Sequence, residues 1–264
     1  RRNLTGRYCR MRKYYQAEKL KNRHTSVEKL MVLMPAVTVC LAGWLTRDYF
    51  IIDSYNWWYI TLFPGMLALI ASAVGNRDKK MDNRTVQMLP VEMGSVWDGK
   101  ILYGIRCMGI ALLVFLCMTL AVGTVLKQLV QQVFRIDPST GEMLLAVAVL
   151  FVTSVWQIPF CLFLQQIVGT FPMVLLHMGS YILCSVELSL HPFFMILPGG
   201  ITSRLMCIIL KILPNGLTAE PGSITFTQEL VQWDGLPAGI TASVVWFLLF
   251  WFVSRKWFER RIVR

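Results

Sequence analysis

Six stretches of this chain are apolar for so long that they leave few folds open to it. They run from about residue 30 to 46, 57 to 75, 101 to 126, 143 to 168, 171 to 190 and 236 to 254. A run of about 20 apolar residues crosses a bilayer as a helix, because lipid offers the backbone no hydrogen-bonding partner. The rest of the composition agrees: 55% of the residues are hydrophobic and 16% charged, and the mean hydropathy is +0.54, outside the range of soluble domains. The expectation is an all-α integral membrane protein with six transmembrane helices.

A seventh apolar stretch, ITSRLMCIILKIL at 201 to 213, makes the count arguable. It is short for a span, carries Arg204 and Lys211, and sits between LPGG and LPNG, so it reads as a re-entrant or surface-lying helical segment within 191 to 235. Charge decides for six. Ten basic residues fall in 1 to 29, five in 76 to 100 and five in 255 to 264, whereas the other side of a six-span arrangement holds only Arg47, Lys127, Arg135, Arg204 and Lys211. That asymmetry is the positive-inside pattern and places both termini in the cytoplasm. The net charge of +11 thus records topology and gives no support to a nucleic-acid partner.

Two units follow: residues 1 to 29 as a cytoplasmic tail with an amphipathic helix, and 30 to 264 as a six-span domain. Residues 11 to 29 are expected to form one helix on the membrane surface, lysines and arginines toward headgroups and Tyr14, Tyr15 and Leu20 inserted. Met11 has the look of a start, which would make RRNLTGRYCR an upstream extension. The first apolar run lacks a small-residue cleavage site and exceeds the usual signal-peptide core, so it reads as a retained span. Gly169, Thr170, Phe171 and Pro172 mark a tight hairpin between spans four and five.

Chemistry-bearing motifs are few. GSVWDGKI at 94 to 101 approaches a phosphate-binding loop, with Gly94, Gly99 and Lys100 in register, but Ile101 replaces the magnesium-binding hydroxyl and no strand precedes it. An amphipathic connector is the plainer reading. The seven cysteines are scattered through apolar runs as packing residues. His24, His177 and His191 have no metal-ligand spacing, and no serine sits in a GxSxG elbow. NLT and NRT match the glycosylation sequon on the expected cytoplasmic side. Glu187, well inside an apolar run, either faces a functional interior or sits at headgroup depth. The loop 76 to 100 mixes apolar and charged residues around Pro90, as expected of an amphipathic helix lying along the membrane and offering Glu92, Trp97 and their neighbours to a soluble partner. The cluster SYNWWYITLFPG at 54 to 65 is placed at the outer headgroup level, where tryptophan and tyrosine anchor a span.

Several of these pieces together resemble the permease subunits of lantibiotic-immunity ABC transporters, within the type-2 ABC exporter family. They are the basic start before KLMVLMPAVTVCLAGW, then YNWWYITLFPGMLALI, KKMDNRTVQMLPVEMGSVWDGKIL, QQIVGTF and ITSRLMCIILKILPNGLTAEPGS. The resemblance covers nearly the whole chain from Met11. It implies a cytoplasmic elbow helix at the start, a coupling helix between spans two and three, and re-entrant structure before the last span. It also implies a separate dimeric ATPase subunit that binds ATP and magnesium, a second related permease, and a lantibiotic peptide as cargo in the cell membrane of a Gram-positive bacterium. This chain itself would carry no cofactor and no catalytic residue. Coupling then falls to Arg84, Leu89, Pro90, Val91, Glu92 and Trp97, and the peptide's path or outer mouth to Asn56, Trp57, Trp58, Tyr59 and Glu187. A permease for another peptide antibiotic, a lipid or a cell-wall precursor has the same architecture. A membrane-embedded enzyme or a non-transporting sensor is the alternative of another class.

Overall fold

Two prolines shape the two most deeply buried spans. The computed structural model describes residues 2–79, 91–129 and 131–262, and no strand occurs among them. The helices are α1 (Arg2–Lys21), α2 (Ser26–Leu45), α3 (Phe50–Trp57), α4 (Phe63–Lys79), α5 (Met93–Gln128), α6 (Thr140–Ser154), α7 (Gln157–Val168), α8 (Thr170–Val186), α9 (Pro198–Leu210) and α10 (Gly235–Ile262). Among the described residues six stretches are long and apolar enough to cross a membrane: Ser26–Leu45, Arg47–Asp78, Met93–Gln128, Thr140–Val168, Thr170–Leu190 and Gly235–Arg260. The six expected runs fall on them, only the first overshooting its stretch by one residue, Thr46, and the chain is a multi-pass, all-α membrane protein.

Span two is α3 and α4 joined by one π-helical stretch, Trp58–Leu62. Pro64 has no N–H for the carbonyl four residues earlier. The turn before it widens, and the Phe63 N–H reaches back five residues to the Trp58 carbonyl. Span four is interrupted in the same way ahead of Pro159: Val155 and Trp156 form a turn between α6 and α7, where the Ile158 N–H donates to the Val155 carbonyl over 3.3 Å. These two spans are the centre of the bundle. In their apolar windows 72% and 61% of the residues are buried, against 11% in the sixth span, whose open faces suit lipid. α4 packs on α7, and α2 packs on α5.

The short helix α9 is buried at every one of its 13 residues. It lies against α6, α8 and α10. At 1.5 Å per residue it is about 20 Å long, too short to cross. Of the two expected placements, the surface-lying one is therefore corrected: α9 is packed inside the protein. Its start uses Pro198 in the first turn, and its end is capped by Lys211 in the left-handed region at φ 54°.

Local chemistry also moves several boundaries. The expected single helix over 11 to 29 turns a corner at 22–25. The Asn22 side chain donates to the Glu18 carbonyl, and the Thr25 hydroxyl caps α2 by accepting from the Val27 N–H. The third span begins at Met93, before the expected 101, and the sixth continues to Ile262. Span four starts on a capping box in which Ser139 and Glu142 bond reciprocally. The tight hairpin between spans four and five stands: Gly169 alone, at φ 90°, separates α7 from α8.

Candidate functional site

Lys100 is where the stretch resembling a phosphate-binding loop leads, and its surroundings give those residues a different task. GSVWDGKI lies within the continuous helix α5, so no loop cradles a phosphate there. Lys100 Nζ is 2.6 Å from Asp78 Oδ2 and 3.4 Å from Glu18 Oε2, and it also donates to the Val74 carbonyl at 3.4 Å. Lys21 Nζ completes the group at 2.8 Å from Glu18 and 3.1 Å from Asp78. Side-chain exposure is 2% for both Lys100 and Glu18. Two cations facing two anions make a neutral network, buried except at the part-exposed Lys21, the arrangement in which buried charge is tolerated. Burial works to lower the pKa of the Lys21 ammonium, but Glu18 and Asp78 outweigh it and hold it above its ordinary 10.5. The two glycines of the motif are packing notches. A Cβ on Gly99 would lie 3.2 Å from the Tyr14 carbonyl carbon, and one on Gly94 would strike the Glu259 and Arg255 side chains.

The same end of α5 is tied to α10. The Trp251 indole N–H donates to Asp98 Oδ1 at 2.7 Å, and Arg255 Nε lies 3.2 Å from Asp98 Oδ2. Trp97 donates to Ser254 Oγ at 3.0 Å and stacks on Phe258 with ring centroids 4.6 Å apart. Trp97 is thus fully buried, which corrects its expected presentation to a soluble partner. Of the other expected coupling residues, Arg84, Leu89 and Pro90 lie outside the described residues. Val91 is half-buried and Glu92 is exposed. Glu92 accepts from Ser95 Oγ at 3.0 Å, and its backbone N–H donates to the Tyr14 hydroxyl at 3.3 Å. The stems on both sides of 80–90 are therefore clasped to α1 and α10. Glu18, Asp78 and Ser254 had no signal of their own in the sequence, apart from a charge bordering each of the first two apolar runs.

The NWWY cluster sits in the interior. Trp58, Tyr59 and Tyr55 are fully buried and Asn56 is 6% exposed, so only the half-buried Trp57 keeps a partly open ring. This corrects the reading of the group as headgroup anchors. Around the helix the residues part. Tyr55 donates its hydroxyl to the Met143 carbonyl at 3.0 Å, and Trp58 stacks flat on Phe115 at 4.9 Å. Asn56 faces the turn at Gly216, where φ is 83° and a Cβ would lie 3.0 Å from Asn56 Nδ2. Tyr59 belongs to the π-helical stretch, which packs against α8 and α9, the helices of Tyr181 and Cys207. Glu187 caps α8: its N–H donates to the Leu183 carbonyl, and its carbonyl accepts from the Leu190 N–H.

α8 and α9 carry a group of buried polar residues. On α8, His177, Tyr181 and Ser185 recur every four residues along one face and are all buried. His177 Nε2 and Gln157 Oε1 are 3.1 Å apart. Gln157 opens α7 immediately after the interruption of span four. Trp156 rings with His177 and Tyr181 at 6.1 and 6.4 Å. From α9, Thr202 donates to Thr153 at 3.1 Å, and Ser185 donates to the Gly199 carbonyl at 3.0 Å. A single residue locks the far end: buried Arg204 donates to the Glu229 carbonyl at 2.8 Å and lies 5.3 Å over the Phe194 ring. Among the described residues no three His, Cys, Asp or Glu side chains gather to hold a metal ion. No protein-family model, no curated protein and no solved structure matches the chain.

Proposed function

We propose that this chain is a permease subunit of an ATP-driven ABC exporter, one that removes lantibiotic-type antimicrobial peptides from the membrane and so protects the cell. The reading rests on the resemblance of its segments to that family, together with the strong basic bias toward one side. The observation that supports it most is the clasp of Glu18, Lys21, Asp78 and Lys100. It fixes α1 to both stems of the segment where a soluble ATPase would press.

A push delivered there enters a stiff end in which α1, α4, α5 and α10 move together. It then meets irregular structure deeper in the bundle: the π-helical stretch of span two, the interruption of span four, and the non-crossing helix α9. Stiff input and deformable middle are what alternating exposure of a path requires. ATP and magnesium would belong to the partner ATPase dimer, and a second, related permease would complete the path. An amphipathic cationic peptide needs apolar and aromatic surface with a few acceptors. Trp57, the half-buried neighbour of Asn56, is the aromatic of the NWWY group left available to it.

Survival of a sensitive host that expresses the whole operon, with and without this chain, across several lantibiotics is the test. Protection against at least one peptide that disappears with the chain is expected, together with copurification of an ATP-hydrolysing subunit. Equal survival for every peptide would defeat the immunity reading. Absence of any ATPase partner would favour a sensor.

A further inference from the structure

The polar group at the interruption of span four has hydrogen-bonding capacity that its protein neighbours leave unused. Gln157 Oε1 can only accept, so the bond between it and His177 requires Nε2 to carry the proton. His177 Nδ1 is then a bare acceptor, and it has no partner. The Gln157 Nε2 amide, a pure donor, has none either. The Tyr181 hydroxyl faces Thr202, Ser185 and Gln157 without closing a hydrogen bond to any of them. The Trp156 indole N–H and the Tyr59 hydroxyl are in the same condition. Gln157, His177 and Tyr59 are fully buried, Tyr181 is 1% exposed and Trp156 is 5% exposed. In a bilayer interior such groups are expensive to leave unpaired.

The complement that this set asks for is narrow. It must accept from Gln157, donate to His177 and do either for Tyr181. It must also be neutral, since none of the residues meeting there is charged. A cation would satisfy only acceptors, and an anion only donors. We propose that Gln157, His177 and Tyr181 form a buried water-binding site at the interruption of span four, with Trp156 and Tyr59 on its border. Its place is informative. The interruption exists because Pro159 removes a backbone donor, and bound water at such a point lets helix segments bend without leaving polar groups bare. The same water would touch α7 at the interruption of span four, α8 and, through Tyr59, the π-helical stretch of span two, so the two broken spans would share one hydrogen-bonded centre.

The test is X-ray hydroxyl-radical labelling of the full chain in lipid nanodiscs, read by mass spectrometry. Radicals formed from bound water mark adjacent side chains even when bulk solvent does not reach them. Trp156, His177 and Tyr181 are expected to be labelled about tenfold faster than Phe50, which is at least as deeply buried and packs against Phe134, Gly43 and Gly123. Labelling of all three at the rate of that phenylalanine would overturn the site. A second measurement uses the double substitution Gln157→Leu and His177→Leu. In a dry cluster, replacing the unpaired polar groups with apolar ones relieves a penalty and raises the thermal midpoint. With water bound, the midpoint is expected to stay or fall and the labelling of Tyr181 to drop to background. A raised midpoint would refute the proposal.

Discussion

Lys100→Met removes one cation from the clasp and leaves Glu18 and Asp78 buried with Lys21 alone between them. At an effective dielectric of about 20, the distances of 2.6 and 3.4 Å correspond to about 6 and about 5 kcal/mol of attraction between Lys100 and its two carboxylates. Several kcal/mol of lost hydration per ion offset much of this, and breaking a buried pair typically costs about 3–5 kcal/mol net. That loss is local to the docking of α1 on α4 and α5. Hydrogen exchange of the amides from Arg12 to Lys21, measured in nanodiscs, is therefore expected to accelerate by about a hundredfold or more, at about 1.4 kcal/mol per tenfold. The double change Lys100→Met with Asp78→Asn leaves the Glu18 to Lys21 pair at 2.8 Å as a self-contained unit and should restore much of the protection. If α1 keeps wild-type protection in Lys100→Met, or if the double variant is as loose as the sum of its parts, the four charges do not act as a tether and the reasoning fails.

Three further outcomes follow from the same geometry. Gly99→Leu alters no charge, yet its side chain has to enter the space held by the Tyr14 backbone; it should loosen the same α1 amides while leaving the exchange of α8 unchanged. Trp58→Leu removes a ring stacked on Phe115 and should lower stability by about 2–4 kcal/mol in a thermal or denaturant assay, whereas Trp57→Leu should cost under about 1 kcal/mol, so loss of protection in Trp57→Leu alone would mark a residue of the peptide's route. Lys21 is held above its ordinary 10.5 by its carboxylate partners, so its share of the tether is complete below pH 10.5 and fades as the pH rises through the raised value. Exchange of α1 at high pH should show that transition in the wild type and not in Lys21→Met.

What the sequence made legible was what depends on one residue type at a time over a long window. Apolar length placed all six spans, because lipid penalises unpaired backbone wherever it occurs, and the LPGG and LPNG punctuation bracketed α9, which begins and ends three residues before the apolar stretch 201 to 213. Whether α9 lies on the protein or within it depends on partners from α6, α8 and α10, and no local signal carries that. The same limit governs the NWWY cluster. Tryptophan and tyrosine suit an interface and a core stack equally well, and only the presence of Phe115 on another helix turns Trp58 inward.

Glycine and lysine gave the sharpest ambiguity. Gly94, Gly99 and Lys100 stand at the spacing of a phosphate-binding loop, but spacing alone does not distinguish glycines that free a backbone for phosphate from glycines that let two helices touch. The difference lies in what faces them: Tyr14 on α1, Glu259 and Arg255 on α10, and a carboxylate pair, Glu18 and Asp78, separated by most of two spans in sequence. A lysine at the border of an apolar run is ordinarily free to reach water. Lys100 does not reach it, because its helix continues inward from Met93 and two acids have been brought to meet it. The buried charge therefore carries more information about this protein than any of its motifs. It marks the end of the bundle where α1, α4, α5 and α10 are tied together by charge, in contrast to the middle, where spans two and four leave the regular helix.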